Sequence, residues 1–265
     1  MQAAASFYEP LDVSGHYRAT AATAGPWDPG AQHGGPPAAL LATVMEACEP
    51  VAGFRLARIT VELLGPVPVR DVVVRAGVVR PGRRVRLVEA TMEADGRPVA
   101  LGRAWQIASQ PDLMPAMPSS PPPERPAPRP VRFFTGSPAI EGYGAAIEWR
   151  FATGGFDVLG AAQVWARVRI PLVADQPLTG LQRLLIVADS ANGISGVLPF
   201  DEWLFVPTAL TVTVHRHPRG EWIFMGAETR LSNDGIGSCH AELADDDGQV
   251  GTASQPLVIT RRSPA

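Results

Sequence analysis

Gln32-His33-Gly34-Gly35-Pro36-Pro37-Ala38-Ala39-Leu40-Leu41 is the stretch on which the fold turns. Two glycines permit a tight bend, and the prolines that follow suit a first helical turn, where N–H groups have no partner anyway. Beyond them Leu40, Leu41, Val44, Met45 and Cys48 recur at helical spacing, which predicts a helix over 38–48. Four segments of strand character come next: Arg58–Leu64, Asp71–Arg80, Arg83–Ala94 and Val99–Ile107. Arg80-Pro81-Gly82-Arg83 and Asp95-Gly96 between them have the turn chemistry of antiparallel hairpins.

The same order recurs further along. Strands are predicted at Ile147–Phe151 and Ala161–Ile170, then a helix at Leu181–Leu198. Strands at Leu210–His215, Trp222–Leu231, Ser238–Asp245 and Val250–Ile259 follow it. A repeat of this size implies an internally dimeric chain. Each half is then an α+β unit whose mostly antiparallel sheet wraps its helix, since that buries both apolar faces at once. Between the halves, Pro111 to Pro130 carries Pro121-Pro122-Pro123 and further prolines at 115, 118, 126 and 128. Proline at that density blocks helix and ladder hydrogen bonds alike, so an extended linker is expected. The expected division is a first domain at 1–110, a linker at 111–131 and a second domain at 132–265.

The 265 residues carry a formal charge of −3 and no lysine, a balance that argues against a nucleic-acid surface. No apolar run is long enough to span a membrane, and no leader pattern opens the chain, so a cytoplasmic protein is expected. Cys48 and Cys239 sit in apolar contexts and read as buried free thiols. His33, His215, His217 and His240 lack the ligand spacing of a metal site, so no metal is expected. No nucleophile elbow, phosphate loop or dinucleotide fingerprint occurs.

The Gln32–Leu41 stretch, followed by Thr60-Val61-Glu62-Leu63-Leu64, resembles the hotdog fold. Together with Val187-Ala188-Asp189-Ser190-Ala191-Asn192, Thr211 to Arg216 and Ser254-Gln255, the whole chain resembles the TesB-like acyl-CoA thioesterases, in which two hotdog domains are fused. The resemblance implies hydrolysis of an acyl-CoA or acyl-carrier-protein thioester in fatty acid metabolism. It implies no cofactor beyond the coenzyme A of the substrate, and a homo-oligomer. It also implies a carboxylate at Asp189 and an amide at Gln255 that orient the attacking water, with a hydroxyl from the strand beginning near Thr208.

The residues themselves leave each role open. Asp189 falls roughly 80° from the centre of the stripe formed by Leu181, Leu184, Leu185, Ala188 and Asn192. It can therefore be a partly desolvated base or a solvated helix residue. Gln255 can be a site residue or an edge-strand amide facing water. Laying the halves over one another sets Asp189 against Met45 and Gln255 against Ala104, so one site per pair of units is expected. The family's hydroxyl position lands on Pro207 and a frequently acidic neighbour on Ala209. Thr208 reaches the site only through a bulge, and Thr211 is the other hydroxyl available. These departures make a non-hydrolytic acyl-binding protein the alternative function. His33, Gly34 and Gly35 are candidates for binding the substrate carbonyl at a helix N-terminus, or else a turn that starts the helix. Arg80, Arg83, Arg84 and Arg86 either meet coenzyme A phosphates or line a solvated hairpin.

Overall fold

The computed structural model describes residues 4–111, 113–115, 117, 119–134 and 142–262. The first glycines lead into α1 (Gly35–Ala47), after which the chain forms β3 (Phe54–Leu63), β4 (Asp71–Arg80), β5 (Val85–Ala94) and β6 (Arg97–Ala108). Residues of β5 alternate between buried and half-buried along its length, the period-2 signature of a sheet with one face on a core. Two short strands absent from the sequence reading, β1 (Tyr8–Pro10) and β2 (His16–Ala19), extend the edge beyond β4.

The second half supplies β7 (Ile147–Gly155), β8 (Val158–Val168), α2 (Gly180–Ala188), α3 (Ala191–Ile194) and β9 (Trp203–Pro207). It ends in β10 (Ala209–Val214), β11 (Trp222–Leu231), β12 (Ile236–Asp245) and β13 (Gly248–Arg261). All the strands belong to one sheet of order β1-β2-β4-β5-β6-β3-β10-β13-β12-β11-β8-β7, with β9 added on β13. This is the double hotdog architecture, α+β, with every strand of the sheet paired antiparallel to its neighbours and one isolated parallel bridge from Tyr8 to Val173.

Strands β3 and β10 meet at the centre, where Thr60 faces Thr211 and the two hydroxyls lie 3.1 Å apart. That pair marks a pseudo-two-fold axis. Thr60 pairs outward with Arg103 and Thr211 with Ser254, so one residue further along Ala104 answers Gln255. Both are buried, one apolar and one polar. Helices α1 and α2 pack antiparallel, with the Gln182 amide at the start of α2 donating to Thr43 Oγ1 near the end of α1. The start of α2 is fixed by a capping box between Thr179 and Gln182.

Arg86 is not available to phosphates. Its buried guanidinium donates to Gln106 Oε1 (2.6 Å) and to the Glu49 carbonyl (2.6 Å), while Gln106 donates to the Met45 carbonyl. It therefore completes the C-terminus of α1, where a cation complements the helix dipole. Arg83 and Arg84 are exposed, and Arg80 covers the ring of Trp105. Cys239 is buried as expected, whereas Cys48 is only half-buried.

The proline-rich stretch packs on the second half through residues 119–126. Trp165 Nε1 donates to the Pro123 carbonyl, Arg125 stacks over Trp222 at 4.6 Å and pairs with Asp246, and Ser119 Oγ accepts from Gln249 N–H. It thereby covers a small cluster of Trp165, Trp222, Phe224 and Ala244 that would otherwise face water. Beside it Glu148 is ringed by Arg150, Arg167 and Arg169. Burial pushes this carboxyl up, but the three guanidinia outweigh it and hold it at about 2. A depressed carboxyl stabilises the fold above its unfolded value and loses that contribution as pH falls through its folded value. Glu148→Gln is therefore expected to lower the urea midpoint at neutral pH. Its difference from wild type should vanish between roughly pH 4.5 and pH 2.

Candidate active site

The helix expected over 181–198 is broken. α2 ends at Ala188 and the short α3 starts at Ala191, because Ser190 N–H turns back to the Val187 carbonyl instead of continuing the α-helical ladder. The tightened turn releases two carbonyls. Ile186 O accepts from the Tyr143 hydroxyl at 2.7 Å, and Asp189 O accepts from Gln255 Nε2 at 3.1 Å. Asp189 thus sits at the end of α2 instead of on its flank, and its side chain is free to face the first turn of α1.

The carboxyl of Asp189 is only 4% exposed, and a buried carboxyl needs partners on both oxygens. Gln255 Nε2 donates to Oδ1 at 3.0 Å, and His33 Nδ1 lies 3.0 Å from Oδ2. Gly35 N–H lies 3.2 Å from the same ring nitrogen, which serves one partner at a time: a hydrogen on Nδ1 goes to Asp189 Oδ2, whereas a bare Nδ1 accepts from Gly35 N–H. Glycine is required here by close approach, not by the turn alone. A Cβ on Gly34 would stand 2.8 Å from Asp189 Oδ2, and one on Gly35 would stand 2.2 Å from the Ile186 carbonyl oxygen. The first turn of α1 is poor in donors. Pro36 and Pro37 have no N–H, and Ala38 N–H is bonded to Gly34 O, so Gly34 N–H is the donor left without a partner among the described residues.

These groups open on a cavity of about 430 Å³. His33, Gly34, Asp189, Asn192, Pro207 and Thr208 line it together with apolar side chains that include Leu63, Val67, Leu204 and Val206. Thr208 reaches the cavity through a bulge. Pro207 pairs with Leu257 and Thr211 with Ser254, leaving one extra residue on the strand that carries Thr208. Thr211 lies on the opposite face, bonded to Thr60, and does not line the cavity.

Gln255 departs from its expected placement. It is 1% exposed and does not line the cavity. Its amide N–H groups both go to Asp189, and its Oε1 accepts from Asn192 N–H at 3.2 Å. It holds the carboxyl in place and has no hydrogen spare for water. Asn192 is fixed in turn by donating Nδ2 to the Phe205 carbonyl at 2.8 Å.

Tyr143 is the partner that sequence reading missed. Its ring stacks on His33 with centroids 3.7 Å apart and planes within 6°. Its hydroxyl joins Ser190 Oγ at 2.8 Å, and burial raises its pKa well above the usual value. It comes from a one-turn 3₁₀ helix over Tyr143–Ala146 with no periodic pattern around it, so nothing in the sequence marked it. His215 and His217 are spent on the Gln249 and Leu56 carbonyls. Among the described residues no group of three His, Cys, Asp or Glu side chains is placed to hold a metal ion, and no helix is long and apolar enough to cross a membrane.

The family model for the acyl-CoA thioesterase C-terminal domain matches residues 114–259, and that for the N-terminal domain matches residues 23–107. Among solved structures, a conserved hot dog-fold protein of unknown function from Alicyclobacillus acidocaldarius is similar over 97% of this chain and 96% of its own, at 17% identity and a TM-score of 0.72. An acyl-CoA thioesterase II from Mycobacterium marinum is similar over 97% and 96% of the two chains, at 14% identity and a TM-score of 0.66. The tesB protein of Mycobacterium avium subs paratuberculosis covers 95% of each chain at 14% identity, with a TM-score of 0.66. No curated protein matches the sequence at a significant level.

Proposed function

The chain belongs to the acyl-CoA thioesterase family and is a thioester hydrolase, and on that footing we propose that Asp189 activates water for direct attack on an acyl-CoA carbonyl. The carrying observation is a carboxyl that faces the cavity with both oxygens already held, one by Gln255 and one by His33. Each oxygen keeps a second lone-pair direction for a water molecule. That water bonds to the thioester carbon, its proton passes to Asp189, and the carbonyl π pair moves onto oxygen. Gly34 N–H is the donor for the resulting oxyanion. The C–S bond then breaks with its electron pair on sulfur, and Asp189 returns the proton to the thiolate, giving free acid and thiol. Thr208, carried to the cavity wall by the bulge, supplies a hydroxyl that shares the water with Asp189.

The roles of Asp189 and Gln255 are then separable. Gln255→Ala is expected to lower kcat by roughly 10- to 100-fold, with KM nearly unchanged, because the amide orients the base without touching substrate. Thiol release should be followed on acyl-CoA and acyl-carrier-protein thioesters. A large rise in KM at constant kcat would instead place Gln255 in substrate binding and remove it from the positioning role.

A further inference from the structure

Aromatic side chains crowd one end of the site. Trp27 borders the 430 Å³ cavity and, with His33 and Asn192, also a void of about 30 Å³ beside it. Past that void lies a second cavity of about 230 Å³, walled by Phe134, Phe156, Phe200 and Phe205. A continuous stack of rings stands between the two cavities. Trp27 lies on Phe200 with centroids 4.8 Å apart, and Phe200 lies on Phe134 at 4.1 Å with planes within 10°. Phe205 meets Trp27 edge-on at 4.8 Å. The Arg262 guanidinium lies over Phe200 at 4.5 Å and over Trp27 at 5.6 Å, and donates Nε to the Phe200 carbonyl at 2.7 Å.

Such a stack is difficult to part. Offset and edge-on ring pairs add attraction beyond their buried area, and the cation over Phe200 adds more. The void between the cavities has room for about one water molecule, so a polymethylene chain does not pass while the rings are closed. The apolar walls of the site cavity, Leu63, Val67, Leu204 and Val206, meanwhile suit an aliphatic chain.

We propose that the Trp27–Phe200–Phe134 stack is the acyl-length stop of this enzyme, with Trp27 its specificity-determining residue and short- to medium-chain acyl thioesters its substrates. The proposal rests on the hydrolase reading of the Asp189 site. The acyl chain lies in the site cavity with its methyl end against Trp27, and the cavity behind the stack stays out of reach. Removing one ring joins the two cavities and admits longer chains.

The test uses the full chain with Trp27→Ala and Phe134→Ala, each checked for native circular dichroism, and Phe134→Leu should Trp27→Ala fail to fold. A saturated series from acetyl to palmitoyl is read in two ways. One is thiol release from acyl-CoAs, and the other is calorimetric binding of the matching S-alkyl-CoA thioethers. In wild type, affinity for the thioethers is expected to rise about threefold to fourfold per methylene and then stop rising once the cavity is filled. Both variants should move that break point to longer chains and raise the long-to-short ratio of kcat/KM by about tenfold or more. Identical break points in wild type and folded variants would overturn the stop. A shifted thioether break point with no thiol release in wild type would uphold the stop while refuting the hydrolytic reading.

Discussion

Asp189→Asn is expected to lower kcat for thiol release by about a thousandfold while leaving the protein folded. The substitution is nearly isosteric, so the packing of α1 against α2 stays as it is. The asparagine carbonyl can still accept from Gln255, and the position remains hydrogen-bonded inside the site. What is lost is the capacity to take a proton from water in the transition state and return it to sulfur. Because the side chain contributes to the cavity wall without holding the acyl group, KM should change far less than kcat. The measurement is steady-state thiol release beside a urea titration. Full turnover in a folded Asp189→Asn protein would remove this residue from the chemistry and turn attention to His33.

The second large effect is on stability. Gly35→Ala places a methyl group 2.2 Å from the Ile186 carbonyl oxygen; the Cβ position is fixed by the backbone and its partner is backbone, so no rotamer change relieves the clash. The helices must part, at a cost of about 3 kcal/mol, which for a chain of this size lowers Tm by roughly 6 to 12 °C. Gly34→Ala should behave differently. Its Cβ meets the Asp189 carboxyl at 2.8 Å, and that side chain can move aside, so activity falls much more than stability does. Gly77→Ala, with nothing within 4 Å of the added Cβ, is the control that should change neither. A Gly35→Ala protein with wild-type Tm would mean that the two helices do not pack as closely as described.

Where the sequence spoke clearly, it did so through periodicity and repetition. The apolar spacing of Leu40, Leu41, Val44 and Met45 and the alternation of β4 to β6 each specify one face to bury, and the second half repeats the pattern. The match of Gln255 with Ala104 follows from that repeat and is visible in the strand register. The broken helix was not legible, because apolar spacing continues through the turn at Asp189 and reports burial, not hydrogen bonding. Arg86 misled for a related reason. Strand alternation places it on the inner face, but only the carbonyls at the end of α1 explain why a guanidinium belongs there. The bulge at Thr208 was raised by the misfit of Pro207, whereas the stacking of Tyr143 on His33 joins two distant segments with no local signal.

The pseudo-two-fold axis through Thr60 and Thr211 also bears on how such a chain can change over evolutionary time. In a symmetric pair of identical subunits every substitution is made twice, so a change that helps one interface position is imposed on its mate as well. Joining the two units in one chain lifts that constraint. Met45 and Ala104, the counterparts of Asp189 and Gln255, are free to be chosen for packing alone, and both are buried apolar side chains. Selection for turnover and selection for cohesion can thus act on separate halves of one sheet.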